Sequence, residues 1–456
     1  MRGGTKPAPT RAMSRAGGRG HSSASAFNRG LLSFLDAAPT PFHAVAQARA
    51  LLVAAGFGEL DEGSAWRLAP GSRHFVVRND SSLIAFRLGA RNLVETGLRM
   101  VGAHTDSPCL KLKPNAVVEG SGYIRCGVEV YGGALLNPWF DRDLSLAGRV
   151  TLADARGRLH NRLIDLRAPV AVIPSLAIHL DREANDKRSI NKQTMLPPVL
   201  GLSGAKPFDL AELLGSALRA QDPALARAEI LAFELSFYDT QRAALVGLDD
   251  GFIAAARLDN LLSCYTGLRA LIDTRARGAQ LLVLNDHEEV GSGSAAGARG
   301  NFLRSVLGRL AGDDETRART MARSLLVSTD NAHGVHPNFA DRHDARHGPL
   351  LNAGPVLKVN ANQSYASTSE SAAVVQAAAR AARVPLQSFV TRTDLACGST
   401  IGPLTAAVLG VRTADVGVPT FAMHSIRELA GSADAWALYR VLGAFFALPA
   451  VDATPA

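Results

Sequence analysis

Short apolar runs alternate with stretches of helical spacing along most of this chain. Leu281–Leu284 has the length and composition of a buried strand. The chain then turns polar at once through Asn285, Asp286, His287, Glu288 and Glu289, with Gly291, Ser292 and Gly293 following as a tight loop. Met100–Ala103 is a second such run and ends in His104, Thr105 and Asp106. A third, within SLLVSTD, ends in Asp330. Apolar residues recur at helical spacing from Phe27 to Gly56, through Leu261, Leu262, Tyr265 and Leu268 after Asp259, around Asn301–Ala311, and from Ala433 to Phe446. HFVVRND and SSLIAFRLG predict two strands with a polar turn between them. The alternation predicts an α/β fold with a central mixed sheet flanked by helices. In such sheets, ligands gather beyond the carboxyl ends of the strands.

The middle of the chain has a different texture. YIRCGVEVYGG, LAGRVTLADARGRLHNRLIDL and APVAVIPSLAIHL are short strand patterns broken by glycine-rich turns, with one helical stretch at Phe208–Ala220. Residues 109–243 therefore form an expected β-rich insert that serves dimerisation or covers the site. Residues 26–108 and 244–450 form the two parts of a catalytic domain. The net charge of +8 invites a nucleic-acid reading, but five of those charges (Arg2, Lys6, Arg11, Arg15 and Arg19) lie in residues 1–25 without an acid. The other 431 residues carry +3, so no nucleic-acid partner is expected. The tail itself is rich in Gly, Pro, Ser and Ala and is expected to be disordered. No apolar run reaches the roughly 20 residues that span a bilayer, so no membrane role is expected. Cys109, Cys126, Cys264 and Cys397 show no metal-finger spacing, which suggests reduced thiols and a cytoplasmic protein.

Taken singly, each polar residue at a strand end has an ordinary explanation. An isolated Glu288–Glu289 pair commonly faces solvent, Asp259 at a helix start is commonly an N-cap, and the pattern around His179 favours the core. Collectively they are harder to dismiss. Adjacent carboxylates resist joint ionisation unless a positive group holds one of them. His104, Asp259, Glu289, Asp330 and His424 all lie at ends of α/β elements, where one cleft could gather them. Two imidazoles and three carboxylates suit a pair of divalent ions, Zn²⁺ above all, with Mn²⁺ or Co²⁺ also accepted. Two metals can share one carboxylate and one water, leaving the adjacent Glu as general base. Asp106 is placed to orient His104.

HTDSPCLKLKP, RLDNL, HEEVGS, STDNAHGVHPNF, CGSTIGP and MHSIRE, in this order, resemble the aspartyl aminopeptidase family of metallo-aminopeptidases over about residues 27–446. The resemblance implies a zinc-exopeptidase fold and a two-zinc enzyme that removes the N-terminal residue from peptides, with Asp or Glu preferred. His104 and Asp330 would bind one ion, Glu289 and His424 the other, and Asp259 would bridge them. Glu288 would be the general base. His179, in IPSLAIHL, would reach a neighbouring subunit's site and stabilise the tetrahedral intermediate, against the core reading that pattern favours. Lys358 and Tyr365, in GPVLKVNANQSYAS, would line the substrate side-chain pocket, where a lysine favours an acidic group. Homo-dodecamers assembled through the insert are also implied. One departure is Asn331, where family members commonly carry Met after the Asp. Two other readings stay open: a two-metal deacylase or carboxypeptidase on a related scaffold, and a non-catalytic assembly protein of the same fold. No GxSxG elbow or P-loop is present.

Overall fold

The computed structural model of the chain describes residues 18–225 and 228–451. The two apolar runs become neighbours at the centre of a nine-stranded sheet. Leu98–His104 and Ala279–Asn285 pair in parallel, and every residue of both is buried. Leu325–Thr329 joins the other side of Leu98–His104 in parallel, and Arg412–Gly417 continues the parallel series. Four strands thus end on the same side of the sheet. Flanking this series, Ser82–Arg87 runs antiparallel to Ala279–Asn285, Arg73–Arg78 to Ser82–Arg87, and Val356–Lys358 to Arg412–Gly417, while the short edge strands Gly58–Glu59 and Gln387–Phe389 each pair in parallel with the neighbouring strand. The fold is α/β with a mixed central sheet, as the hydrophobic pattern predicts.

Alternation along the buried strands explains the two helical layers. Val101, Ala103, Leu282 and Leu284 face helices Leu258–Asp273 and Asp434–Ala447, packing with Leu261, Leu268, Leu442 and Phe446. Leu98, Met100, Leu281 and Val283 face the opposite way, onto Phe302, Val306 and Leu307 of helix Phe302–Ala311. Leu282 is fully buried, and cutting such a side chain to Ala costs about 2–5 kcal/mol.

Cys109–Gly120, Tyr123–Tyr131, Leu144–Ala153, Leu159–Asp165, Val199–Leu202 and Glu229–Asp239 form a separate six-stranded antiparallel sheet. Leu110, Val128, Leu146 and Phe237 from its strands close a core of their own with Leu214 and Leu218. The latter pair lies on helix Leu210–Gln221, which Asp209 caps by accepting the Ala211 and Glu212 N–H groups.

A third, five-stranded sheet was not legible in the sequence. It links Ala244–Val246, Phe252–Ala255, Glu428–Gly431, Pro419–Phe421 and Ala332–His333. Strands of two to four residues drawn from distant segments carry too few positions for a period of two to register. At the other end of the chain, the helical pattern from Phe27 to Gly56 resolves into Gly18–Ala37 and Pro41–Ala54, with Pro41 in the first turn of the second. The first of these helices begins inside the stretch read as a structureless tail, and residues 1–17 of that stretch lie outside the described residues. Among the described residues, no helix is long and apolar enough to cross a membrane. All four cysteines are free.

Candidate metal centre

Three of the four parallel strands lead into polar residues that meet at the same place. His104 closes its strand with its side chain 1% exposed. Its Nδ1 lies 3.1 Å from the Asp106 carbonyl and 3.3 Å from Asp106 Oδ1. Those acceptors assign the proton to Nδ1 and leave Nε2 facing Asp259 Oδ1 at 3.4 Å and Asp330 Oδ1 at 4.0 Å. Asp330 follows Leu325–Thr329 directly, and its N–H is tied to the Val416 carbonyl at 3.0 Å. Gly417 packs so tightly on the Asp330 carbonyl that a Cβ there would sit 1.8 Å from the oxygen, so no larger residue fits.

Asp259 is not the N-cap of its helix; Arg257 holds that position, in a left-handed conformation at φ 61°. The backbone at Asp259 departs from helical values (φ −82°, ψ 105°), which turns its carboxylate toward the strand ends. Its Oδ2 lies 3.5 Å from His424 Nε2, while Oδ1 faces His104. One carboxylate thus sits between two imidazoles. Glu289 Oε1 completes the second side, 3.3 Å from His424 Nε2.

Glu288 and Glu289 occupy a short 3-10 turn whose two N–H groups donate to the Asp106 carboxylate, each at 3.1 Å. Asp106 therefore does more than orient His104; it also fixes the turn that carries both glutamates. The pair does not face solvent as an isolated Glu-Glu would, for Glu289's side chain is only 4% exposed.

The electrostatics follow from packing these acids together. Burial, then the charges of Asp330, Glu289 and Asp106, push Glu288 up to about 8 against the pull of His104. Burial, with Asp259 and Glu289 nearby, raises Asp330 to about 7 although Lys358 opposes it. Burial would lower His424, but the adjacent carboxylates of Asp259 and Glu289 outweigh it and raise it to about 11. His104 is likewise raised, as the carboxylates of Asp106 and Asp259 beside it overcome its burial. The cluster holds protons that it would surrender to a stronger cation.

Donor geometry fits a metal on the same grounds. His104, Asp259 and Asp330 each offer a ligand atom, and the three atoms lie within 4.8 Å of one another. Asp259, Glu289 and His424 do the same, as do His104, Glu288 and Glu289. Asp259 Oδ1 and Glu289 Oε1 are buried without a hydrogen-bond partner, an arrangement that is costly unless a cation faces them. Imidazole nitrogens and carboxylate oxygens are the donors Zn²⁺ takes.

Of the other expected site residues, Lys358 lies near the cluster. It is not a surface lysine: it is 1% exposed, donates to the Asn331 carbonyl at 3.2 Å, and stands 3.9 Å from Asp330 Oδ2. Tyr365 is buried beside it, its ring 4.9 Å from the Lys358 ammonium. His179 is elsewhere, on an exposed turn, so the core reading of that residue is incorrect. Its neighbours Leu176, Ile178 and Leu180 are exposed as well, which is why an apolar run there does not mean burial.

Two residues of the site were missed from sequence. Glu428 is buried and accepts the Asp259 N–H on one oxygen and the His424 N–H on the other, both at 2.8 Å. Tyr131, from the six-stranded sheet, donates its hydroxyl to Asp106 Oδ2 at 2.6 Å. Glu428 stood inside the quoted MHSIRE motif; nothing local to Tyr131 marked it.

Four matches to known proteins bear on the chain. The family model described as aminopeptidase I zinc metalloprotease (M18) matches residues 34–446. A probable M18 family aminopeptidase 2 from Pseudomonas aeruginosa is 58% identical over 421 residues, covering 92% of this chain and 98% of that protein. Among solved structures, a chain from the complex of Ape4 and Nbr1 superposes with a TM-score of 0.90 at 38% identity, covering 94% of this chain and 87% of its own. The S. cerevisiae mApe1 dodecamer superposes with a TM-score of 0.81 at 28% identity, covering 93% and 97%.

Proposed function

The chain belongs to the aminopeptidase I zinc metalloprotease (M18) family and is a zinc-dependent aminopeptidase, and on that premise we propose that it works with two zinc ions around Asp259 and prefers Asp or Glu at the residue it removes. The observation that carries the two-ion reading is the sharing of Asp259. Its two oxygens face opposite imidazoles, 3.4 Å and 3.5 Å away, within two separate sets of ligand atoms. His104 and Asp330 would hold one ion, Glu289 and His424 the other.

Bound zinc supplies a Lewis acid for the scissile carbonyl and lowers the pKa of the attacking water. Glu288 supplies the proton traffic. Its carboxylate sits among other acids in a largely buried turn, so it takes a proton readily near neutral pH and can return it to the leaving amine. Asp106 holds that turn and the His104 ring in one register, through the contacts given above. Lys358 places a fixed cation behind Asp330, which supports recognition of an acidic side chain. Tyr365 supports the ammonium from below through its ring.

His179 acts in a second subunit under this reading. Its exposed turn and the exposed Leu176 and Leu180 beside it make a surface that assembly would cover. The mApe1 dodecamer supports a homo-oligomer, and under this reading residues 109–243 would be its assembly unit. Peptides are the substrates, and Mn²⁺ or Co²⁺ could replace zinc at such ligands.

The test is release of the N-terminal residue from X-Ala-Ala peptides, with X as Asp, Glu, Leu or Lys, alongside zinc content by atomic absorption. Two zinc ions per chain and chelator-sensitive release of Asp and Glu are expected. Faster release of Leu would discard the acidic preference, and one ion per chain would discard the bridge.

A further inference from the structure

The six-stranded sheet meets the metal centre at the end of strand Tyr123–Tyr131 and the four residues after it. Tyr131 donates to Asp106 Oδ2 at 2.6 Å. Gly132 packs on Glu289: a Cβ there would lie 3.1 Å from Glu289 Cβ, and the backbone is left-handed at φ 69°. The Gly133 carbonyl lies 3.2 Å from His424 Nδ1, and the Leu135 N–H donates to the His424 carbonyl at 3.0 Å. Four successive contacts therefore fall on Asp106, Glu289 and His424.

We propose that residues 131–135 are an outer brace of both halves of the metal centre, and that Tyr131 is a positioning residue acting on the His104 ion through Asp106. The inference rests on the two-zinc reading. Asp106 Oδ1 takes the Glu288 N–H and faces His104 Nδ1, while Oδ2 takes the Glu289 N–H and the Tyr131 hydroxyl. The tyrosine bond is the shortest of these, and it comes from outside the central sheet. Without it the carboxylate keeps only the two N–H groups of the turn, and its hold on His104 Nδ1, which the Asp106 carbonyl also meets, is loosened. The Gly133 carbonyl does the corresponding work at His424. By accepting from Nδ1 it leaves Nε2 turned toward Asp259 and Glu289. The left-handed glycine between them lets the strap pass Glu289 without displacing it. The insert is thereby part of the metal site as well as a separate sheet.

Tyr131→Phe isolates the hydroxyl, because the ring keeps its place under the Lys111 ammonium, 4.3 Å from the ring centroid. The measurement is zinc affinity of the full chain by competition with a chromophoric chelator, with the visible spectrum of the Co²⁺-loaded protein and steady-state kinetics alongside. In Tyr131→Phe one ion is expected to bind about 10–100-fold more weakly and the other as in wild type. The cobalt bands shift, and kcat falls while KM stays within about twofold. Unchanged affinities and an unchanged cobalt spectrum would overturn the role of Tyr131. Gly132→Ala tests the other end, pushing on Glu289, and is expected to weaken the His424 ion instead. Wild-type affinity for both ions in that variant would overturn the brace at Glu289. A wild-type chain that takes up only one zinc refutes the two-ion reading, and the difference between wild type and Tyr131→Phe at that ion still decides this one.

Discussion

The His104 half of the centre stands on strand ends in the middle of the sheet, whereas the His424 half hangs on turns. His104 and Asp330 follow fully paired parallel strands, and their side chains are 1% and 9% exposed. His424 lies on a turn at φ 67°, two residues after Ala422 at φ 54°, and its side chain is 30% exposed. Glu289 is carried on a three-residue 3-10 turn. The first half is stiff because the sheet makes it so. The second depends on added supports, which are Glu428, Gly133 and the Asp106 contacts to the turn. Under the two-ion reading, the halves should thus differ in how firmly each holds its ion, although they share a carboxylate and a donor chemistry.

The sharpest way to test that contrast is to remove what the halves share. Asp259→Asn takes a charge from both ligand sets at once, so both ions should be lost together and peptide release abolished. Loss of a single ion, read by atomic absorption, would mean that Asp259 serves only one half. Glu288→Gln is the control for chemistry without loss of metal. Both ions should remain while kcat falls by about 10²–10⁴-fold. Near-normal turnover in that variant would remove Glu288 from the reaction.

Next in size is the difference between the halves themselves. His424→Ala should empty the exposed half and leave the His104 ion in place, whereas His104→Ala should do the reverse. In wild type, a chelator should strip zinc in two phases, the faster from the His424 half. Single-phase release, unaltered in rate by either histidine substitution, would show that the stiff and suspended halves behave as one.

How much of this could be read beforehand follows the same division. His104, Asp330 and Glu288–Glu289 each come within five residues of the end of an apolar run, so one local signal locates both the strand and its ligand. Asp259 and His424 have no such flag: the first looks like an N-cap and the second follows a broken stretch. Only their place in six ordered motifs distinguishes them. Glu428 and Tyr131 act by reaching across from other sheets, and reach is a property of tertiary packing that no period along the chain encodes. His179 shows the converse error, since apolar neighbours that would be buried in a monomer's core are exposed in this one.

Lys358 offers a smaller effect, confined to the stiff half. Its ammonium lies behind Asp330, so Lys358→Met removes a cation from the side where an acidic substrate group would be read. kcat/KM for Asp and Glu peptides should fall about tenfold more than for Leu peptides, a difference of about 1.4 kcal/mol. Equal losses on all peptides would make Lys358 a support for Asp330 alone.

The smallest effect expected is on the pH dependence of stability, and its sign follows from the proton affinities. Glu288 near 8 and Asp330 near 7 bind protons more tightly in the folded chain than in the unfolded one. Their contribution is therefore complete at low pH and is lost as pH rises through those values. His424 near 11 and His104, also raised, act in the same direction at higher pH. Asp106 and Asp259 are lowered and act oppositely, but their contribution is already complete above the ordinary carboxylate range. Between pH 6 and 8 the metal-free protein should thus lose stability as pH rises. Zinc takes the place of those protons, and its binding strengthens as the ligands deprotonate. The rise in apparent Tm on adding zinc at a buffered free concentration should accordingly be larger at pH 8 than at pH 6, by scanning calorimetry. Because the His424 half is the more exposed, His424→Ala should retain part of this pH-dependent increment and His104→Ala less of it. An increment that stays constant with pH would mean that the ions do not displace the protons held by this cluster.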